Sequence, residues 1–140
     1  MRKCLFLWIA LLVPTLALVS CGKKEEKPSG KVFFSEPANG AEVKSPVKVV
    51  MGVEGMTLKP AGEVVAGEGH HHILINVDAT PAGQVVPNDD THKHFGKGQT
   101  ETTLELAPGD YKLTLQFADG LHQSYGPDLA STINVKVVAP

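Results

Sequence analysis

Hydrophobic and polar residues alternate with a period of two over most of the chain from Lys31 onward. This alternation predicts β-strands, because successive side chains of a strand point to opposite faces of a sheet. Segments 47–53 and 111–117 show it clearly, with an apolar residue at every second position. The 14 Gly and 10 Pro residues of the chain divide such segments by turns. We therefore expect an all-β fold, an immunoglobulin-like or cupredoxin-like antiparallel β-sandwich of about seven strands.

One predicted strand begins with a pattern that is common in such sandwiches. Pro108 and Gly109 form a predicted turn, and Tyr111 follows as the first apolar position of the strand. The pattern is similar to the corner of immunoglobulin-like domains in which a tyrosine hydroxyl returns to the backbone a few residues upstream. This similarity supports the fold and carries no information about activity.

The N-terminal segment combines positive charge with an apolar run. Arg2 and Lys3 precede the apolar residues 4–19, a run shorter than the roughly 20 residues of a transmembrane helix. The run leads through small residues to Cys21, an arrangement that resembles a bacterial lipobox. We expect residues 1–20 to be a lipoprotein signal peptide and Cys21 to carry the lipid.

The segment after the predicted lipid site has no large apolar residue. Residues 22–30 are mainly charged or small, and they predict a flexible tether between the anchor and a single domain at 31–140. The residue after the lipid site is Gly22, not the Asp that retains enterobacterial lipoproteins in the inner membrane. We therefore expect a lipid-anchored protein of the cell envelope, at the periplasmic face of the outer membrane.

Charge and cysteine content exclude several classes of function. Of 13 basic residues, Arg2 and Lys3 would leave with the signal, so 11 remain against 15 acids, a net charge of −4. This acidic balance argues against binding to nucleic acid. Cys4 and Cys21 both lie outside the predicted domain. The domain therefore has no disulfide, cysteine nucleophile, thiolate zinc site or blue-copper site within one chain.

The histidines are the residues most suited to chemistry. Residues two apart in a strand share a face and lie about 6.6 Å apart, so that two imidazoles can bind one ion. Five of the six histidines fall in the segments 70–72 and 92–94, and the intervening loop could bring these segments together. Such imidazole ligands favour copper or zinc. The predicted metal ligands are His70, His72, His92 and His94, with His122 as a further candidate.

Other interpretations of the same residues stay open. His71 alternates with the predicted ligands and lies on the apolar face, which favours a hydrogen-bonded core residue. A metal-binding domain of this kind would store, deliver or sense metal without catalysis. The alternative is an envelope module that binds a protein or glycan without metal. A metal-dependent enzyme would need a base such as Glu68 or Glu101 beside an open coordination position.

Several sequence blocks resemble an uncharacterised family of exported bacterial domains, a domain of unknown function. The most specific blocks are Gly69-His-His-His-Ile-Leu-Ile75 and His92-Lys-His-Phe-Gly-Lys-Gly-Gln-Thr-Glu101. The resemblance extends from Phe34 to Val137, and it departs at Tyr111, where many family members have histidine. It implies an exported sandwich-like domain. The family has no established activity, so the resemblance implies no mechanism.

Overall fold

The computed structural model describes residues 29–139. The predicted signal peptide, the lipid site at Cys21 and most of the tether lie outside the described residues. Within 29–139 the chain forms nine strands and a 3-10 helix at Pro127–Leu129. The strands are β1 (Lys31–Glu36), β2 (Glu42–Lys44), β3 (Val47–Glu54), β4 (Thr57–Leu58), β5 (Glu68–Ile75), β6 (His92–His94), β7 (Glu101–Leu104), β8 (Gly109–Ala118) and β9 (Ala130–Val138).

The strands form two sheets that pack as a sandwich. The smaller sheet has the order β1-β3-β7, and the larger has the order β2-β9-β8-β5-β4, with β6 also paired to β5. The predicted all-β sandwich is confirmed. Most pairs are antiparallel, whereas the short strands β2 and β4 pair in parallel with β9 and β5.

Alternating apolar side chains of both sheets form the core. In β3, for example, Val47 and Val49 are buried and the intervening Lys48 is exposed. Burying each such side chain contributes about 1.5–3 kcal/mol relative to leaving it in water. The largest contributions come from β3, β8 and β9, through Val47, Val49, Met51, Leu113, Leu115, Phe117, Ile133, Val135 and Val137.

A tyrosine corner fixes the beginning of β8. The hydroxyl of Tyr111 donates a hydrogen bond of 3.0 Å to the carbonyl oxygen of Ala107, four residues upstream. The predicted return of this hydroxyl to the backbone is therefore confirmed.

Strand β5 is buried on both of its faces, from Gly69 to Ile75. Its inner face carries Ile73 and Ile75 into the main core. Its outer face carries Leu74, which packs in a second, smaller apolar cluster with Val86. Because Val86 belongs to the connection between β5 and β6, this connection folds back over the outer face of the larger sheet.

Within residues 29–139, no helix has the length and apolar character needed to cross a membrane.

Candidate metal centre

Two neighbouring strands and one turn bring four imidazoles together on the outer face of the larger sheet. His70 and His72 share a face of β5, and His94 on β6 lies directly opposite His72 in the antiparallel ladder. The fourth histidine follows β8 in the turn 119–123. The histidine cluster consists of His70, His72, His94 and His122.

The ring nitrogens of the histidine cluster converge. One nitrogen of each ring lies within 4.8 Å of the corresponding nitrogens of the other three. His70 Nε2 is 3.1 Å from His122 Nδ1 and also 3.1 Å from His72 Nε2. A ring nitrogen carries one in-plane hydrogen or one lone pair, so it cannot form two full hydrogen bonds. The arrangement therefore directs several nitrogens towards one point.

The spacing of these nitrogens fits a single transition-metal ion. Nitrogens bound at about 2.0–2.1 Å lie about 2.9 Å apart at a right angle and about 3.3 Å apart at the tetrahedral angle. The two observed separations of 3.1 Å fall between these values. The histidine cluster could therefore hold a metal ion.

Burial keeps the strand imidazoles neutral. His70 and His72 are 0% and 1% exposed. Burial, reinforced by repulsion from His94 and His122 and opposed by Asp119, lowers the pKa of His70 from 6.5 to about 4. Burial followed by repulsion from neighbouring histidines lowers the pKa of His72 to about 3. Because only neutral imidazole coordinates a metal, both rings are ready to bind at neutral pH.

Several nitrogens of the histidine cluster have no hydrogen-bond partner within residues 29–139. They are His70 Nδ1, His72 Nδ1 and His94 Nε2, all of them buried. A buried polar atom without a partner costs about 1–3 kcal/mol. Nε2 of His70 and of His72 is the atom that faces the point of convergence, so the unpartnered Nδ1 atoms of these two rings lie away from it and an ion there would not bind them.

A glycine makes room for the ring of His94. A Cβ atom at Gly96 would collide with Cε1 and Nε2 of that ring. The preceding Phe95 donates its backbone N–H to the carbonyl oxygen of His71 at 3.1 Å, which holds this end of β6 against β5. Gly96 is thus a positioning residue that the histidine pattern did not reveal.

Asp119 organises the turn that carries His122. One of its carboxylate oxygens accepts hydrogen bonds of 2.9 Å from the backbone N–H groups of Leu121 and Gln123. His122 has φ of 65°, in the left-handed region that residues other than glycine seldom adopt. Its carbonyl oxygen accepts a 2.9 Å hydrogen bond from the N–H of Val86. Residues held in this conformation concentrate at functional sites.

The structure does not bring His92 into the histidine cluster. Its Nδ1 lies 2.8 Å from a carboxylate oxygen of Asp89 and 3.0 Å from the hydroxyl of Thr91. Hydrogen bonding from His92 and Thr91 holds the pKa of Asp89 well below its usual range. Of the second predicted pair only His94 joins the first pair, and His122 completes the set of four. The ring of His92 thus contacts the carboxylate of Asp89 and not the histidine cluster.

His71 lies on the opposite face of β5, towards the core. Its ring meets that of Phe117 edge-on, with 5.3 Å between the centroids. Neither ring nitrogen has a hydrogen-bond partner within residues 29–139, in contrast to the hydrogen-bonded core residue that the sequence favoured. Burial, followed by repulsion from His70, lowers the pKa of His71 to about 4.

The candidate bases do not join the histidine cluster. Glu101 begins β7 in the smaller sheet, and Glu68 begins β5 two residues before His70. The backbone carbonyl of Glu68 accepts a 2.7 Å hydrogen bond from the hydroxyl of Tyr125.

A surface cavity of about 340 Å³ adjoins the histidine cluster. The rings of His94 and His122 are half-buried, so this side of the cluster is the one nearer to solvent. The cavity is lined by His72, Val85, Val86, Pro87, Asn88, His94 and His122.

The fold and site together define an all-β sandwich domain with a four-histidine cluster on the outer face of its larger sheet. The chain belongs to the family described as Domain of unknown function (DUF4399), whose model matches residues 49–138. The predicted resemblance to a domain of unknown function is thereby confirmed. The matched region contains all four residues of the histidine cluster.

Comparison with other proteins adds one structural likeness. No match is found among curated proteins. A solved structure, the X-ray structure of the endo-beta-1,4-mannanase from Thermotoga petrophila, is similar over 84% of this chain, with 17% sequence identity and a TM-score of 0.47. The present chain spans 22% of the length of that chain.

Proposed function

We propose that this protein is a cell-envelope lipoprotein that binds copper, or secondly zinc, through the histidine cluster, for storage, delivery or sensing of the metal. The observation that supports the proposal is the convergence of four ring nitrogens within 4.8 Å of one another. The envelope location rests on the export signal, the predicted lipid site at Cys21 and the tether that follows.

The donor set supports copper or zinc over metals that prefer oxygen ligands. Imidazole nitrogen suits both ions, whereas magnesium, calcium and manganese prefer oxygen ligands. The set contains no carboxylate, and the sequence from Gly22 to Pro140 contains no cysteine. A centre of neutral nitrogens held by a sheet suits reversible binding, which storage or delivery requires.

The test is a calorimetric titration of the purified chain, without an added histidine tag, with Cu(II), Zn(II) and Cu(I) under reductant. We expect one ion per chain, bound more tightly than about micromolar, or about −8 kcal/mol. His72→Ala and His94→Ala should each weaken binding at least tenfold, because each removes one ligand. His92→Ala is the matched control, since it removes a histidine of the same strand that lies outside the cluster.

Two outcomes would contradict the proposal. One is the absence of stoichiometric binding. The other is an equal loss of affinity in His92→Ala and His94→Ala, which would assign binding to histidines in general.

The second candidate function is a module that binds an envelope protein or a glycan without metal. The supporting observation is that, within residues 29–139, the exposed large apolar side chains belong to loops that are joined to the turn of His122. Gly62 donates its N–H to the carbonyl oxygen of Gly120 at 2.8 Å, next to the exposed pair of valines. A partner captured equally with and without chelator would favour this function. The exposed residues are Val64, Val65, Val85 and Leu121.

A further inference from the structure

The cavity beside the histidine cluster gives a bound ion an accessible side. Three of the four cluster side chains line it, and only His70 does not. His70 is fully buried, at the rear of the cluster. An ion held by the four nitrogens would therefore have protein behind it and the cavity in front. A volume of 340 Å³ falls within the range of about 300–1,000 Å³ that is typical of small-molecule sites.

Charge determines which class of ligand this side would accept. Four neutral imidazoles leave the full double charge of a divalent ion uncompensated. The carboxylate of Asp119 is the acidic group whose charge acts on His70, and one of its oxygens already accepts two backbone hydrogen bonds. A partly desolvated, uncompensated cation attracts an anion strongly. An external anion thus complements the site.

The remaining wall of the cavity indicates the rest of the ligand. Val85, Val86 and Pro87 form an apolar surface, and Asn88 is the polar residue beside it. Val86 is 3% exposed and lies deep, whereas Val85 is 59% exposed and lies at the mouth. A ligand with an anionic end and a short hydrocarbon chain matches this distribution.

We propose that the metal-loaded protein binds a small monocarboxylate in this cavity, with the carboxylate on the ion and the hydrocarbon chain against Val85, Val86 and Pro87. This inference rests on the proposed metal-binding function. It adds a ligand class and an open coordination position to that function.

The test uses the copper(II)-loaded chain and follows its visible absorption and electron paramagnetic resonance spectra. Azide serves as the probe of an open anion position, and acetate, propionate and butyrate serve as the carboxylate series. We expect a saturable spectral change with one anion per copper. Affinity should rise up to about fourfold for each methylene that enters the apolar cavity.

A bulky side chain at the mouth provides the variant. Val85→Trp should lower anion affinity at least tenfold and leave the copper stoichiometry at one per chain. Val64→Trp is the matched control, because Val64 is an exposed valine that does not line this cavity. It should bind copper and the anions as the unaltered protein does.

The outcomes separate this inference from the proposed function. Copper binding without a saturable response to azide or carboxylates would overturn the inference and leave the metal site intact. A response that does not strengthen along the carboxylate series would overturn the assignment of the apolar wall. Equal losses in Val85→Trp and Val64→Trp would overturn the choice of cavity. Absence of copper binding would overturn the metal site itself, and the titration detects that outcome separately.

Discussion

The position of the His94 ring depends on the absence of a side chain two residues later. Gly96 lies so close to the ring that a single added carbon would overlap with it. The ring would have to rotate or β6 would have to move. In either case the ring nitrogen of His94 would leave the point on which the histidine cluster converges.

We therefore expect Gly96→Ala to weaken metal binding without unfolding the protein. Groups that only orient a metal ligand typically change affinity by about 10- to 100-fold when altered. Calorimetric titration would measure the affinity, and circular dichroism would verify the fold.

Gly40→Ala is the control for the loss of a glycine. Gly40 has φ of 81°, and a Cβ atom there would have no atom of any residue beyond its two chain neighbours within 4 Å. The substitution should therefore lower the free energy of unfolding by about 1 kcal/mol through backbone strain and leave metal affinity unchanged. Unchanged affinity in Gly96→Ala would show that this glycine does not position His94.

The sequence predicted which residue types form the site, but only part of their arrangement. The i, i+2 rule correctly places His70 and His72 on one face of β5. The same rule applies to His92 and His94, but only His94 joins the histidine cluster. The ring of His92 contacts the carboxylate of Asp89, which the rule does not take into account. Whether a histidine joins the cluster or binds a local carboxylate depends on side chains outside the strand. Periodicity contains no information about those side chains.

Strand length determined which elements could be predicted. Strands β3 and β8 contain the segments 47–53 and 111–117, in which the alternation is clear, because a period of two needs several repeats to be recognised. Strands β2, β4 and β6 have three, two and three residues. Strand β6 is nevertheless the element that carries His94 to His72, so the site depends on an element that alternation alone could not predict.

An ion in the histidine cluster would link β5, β6 and the turn 119–123. We expect zinc to slow backbone amide exchange most strongly in 92–95 and 119–123, by about tenfold or more, because local opening of either segment would break metal bonds. Strands of the smaller sheet should change less. Hydrogen–deuterium exchange with mass spectrometry would measure the effect.

The variant His122→Ala separates the two segments. It should abolish most of the slowing in the turn and retain part of it in β6, where His94 still binds. Equal slowing of amide exchange in both sheets would contradict this prediction, since it would show that zinc suppresses global unfolding and not local opening of these segments.

For the whole molecule, alternation and turn spacing were sufficient to predict a sandwich, because a chain of amphipathic strands must bury one face of each sheet. They did not predict that the connection between β5 and β6 covers the outer face of the larger sheet. That covering depends on contacts such as that between Leu74 and Val86, which are distant in sequence. The same connection lies beside His72, since Val85 and Val86 line a cavity with that residue.

Buried histidines should make the folded state sensitive to mild acid. The pKa values of His70 and His71 fall to about 4 and that of His72 to about 3, below the ordinary 6.5. Below pH 6.5 the unfolded chain therefore binds more protons than the folded chain. The contribution of these neutral histidines to the free energy of unfolding is complete above pH 6.5 and is lost as the pH falls towards 4. We expect a loss of about 2 kcal/mol per buried histidine between pH 7 and pH 5.

Urea unfolding of chelator-treated protein at several pH values would measure this loss. His71→Leu is the informative variant, because it removes one buried imidazole from the core side and leaves the histidine cluster intact. Between pH 7 and pH 5, the free energy of unfolding of this variant should fall by about two thirds of the loss expected for the unaltered protein. A pH-independent free energy of unfolding between pH 7 and pH 5 would contradict the prediction.

Alternate residues of strand β5 face opposite sides of the sheet, so that one set forms core and the other contributes to the histidine cluster. Ile73 and Ile75 face the core, and His70 and His72 face away from it. Ligands can therefore be exchanged on the outer face without repacking the sandwich. Replacing His94 or His122 by cysteine, methionine or aspartate would yield a series of metal sites of different selectivity on one unchanged frame, so the domain is a ready starting point for protein engineering.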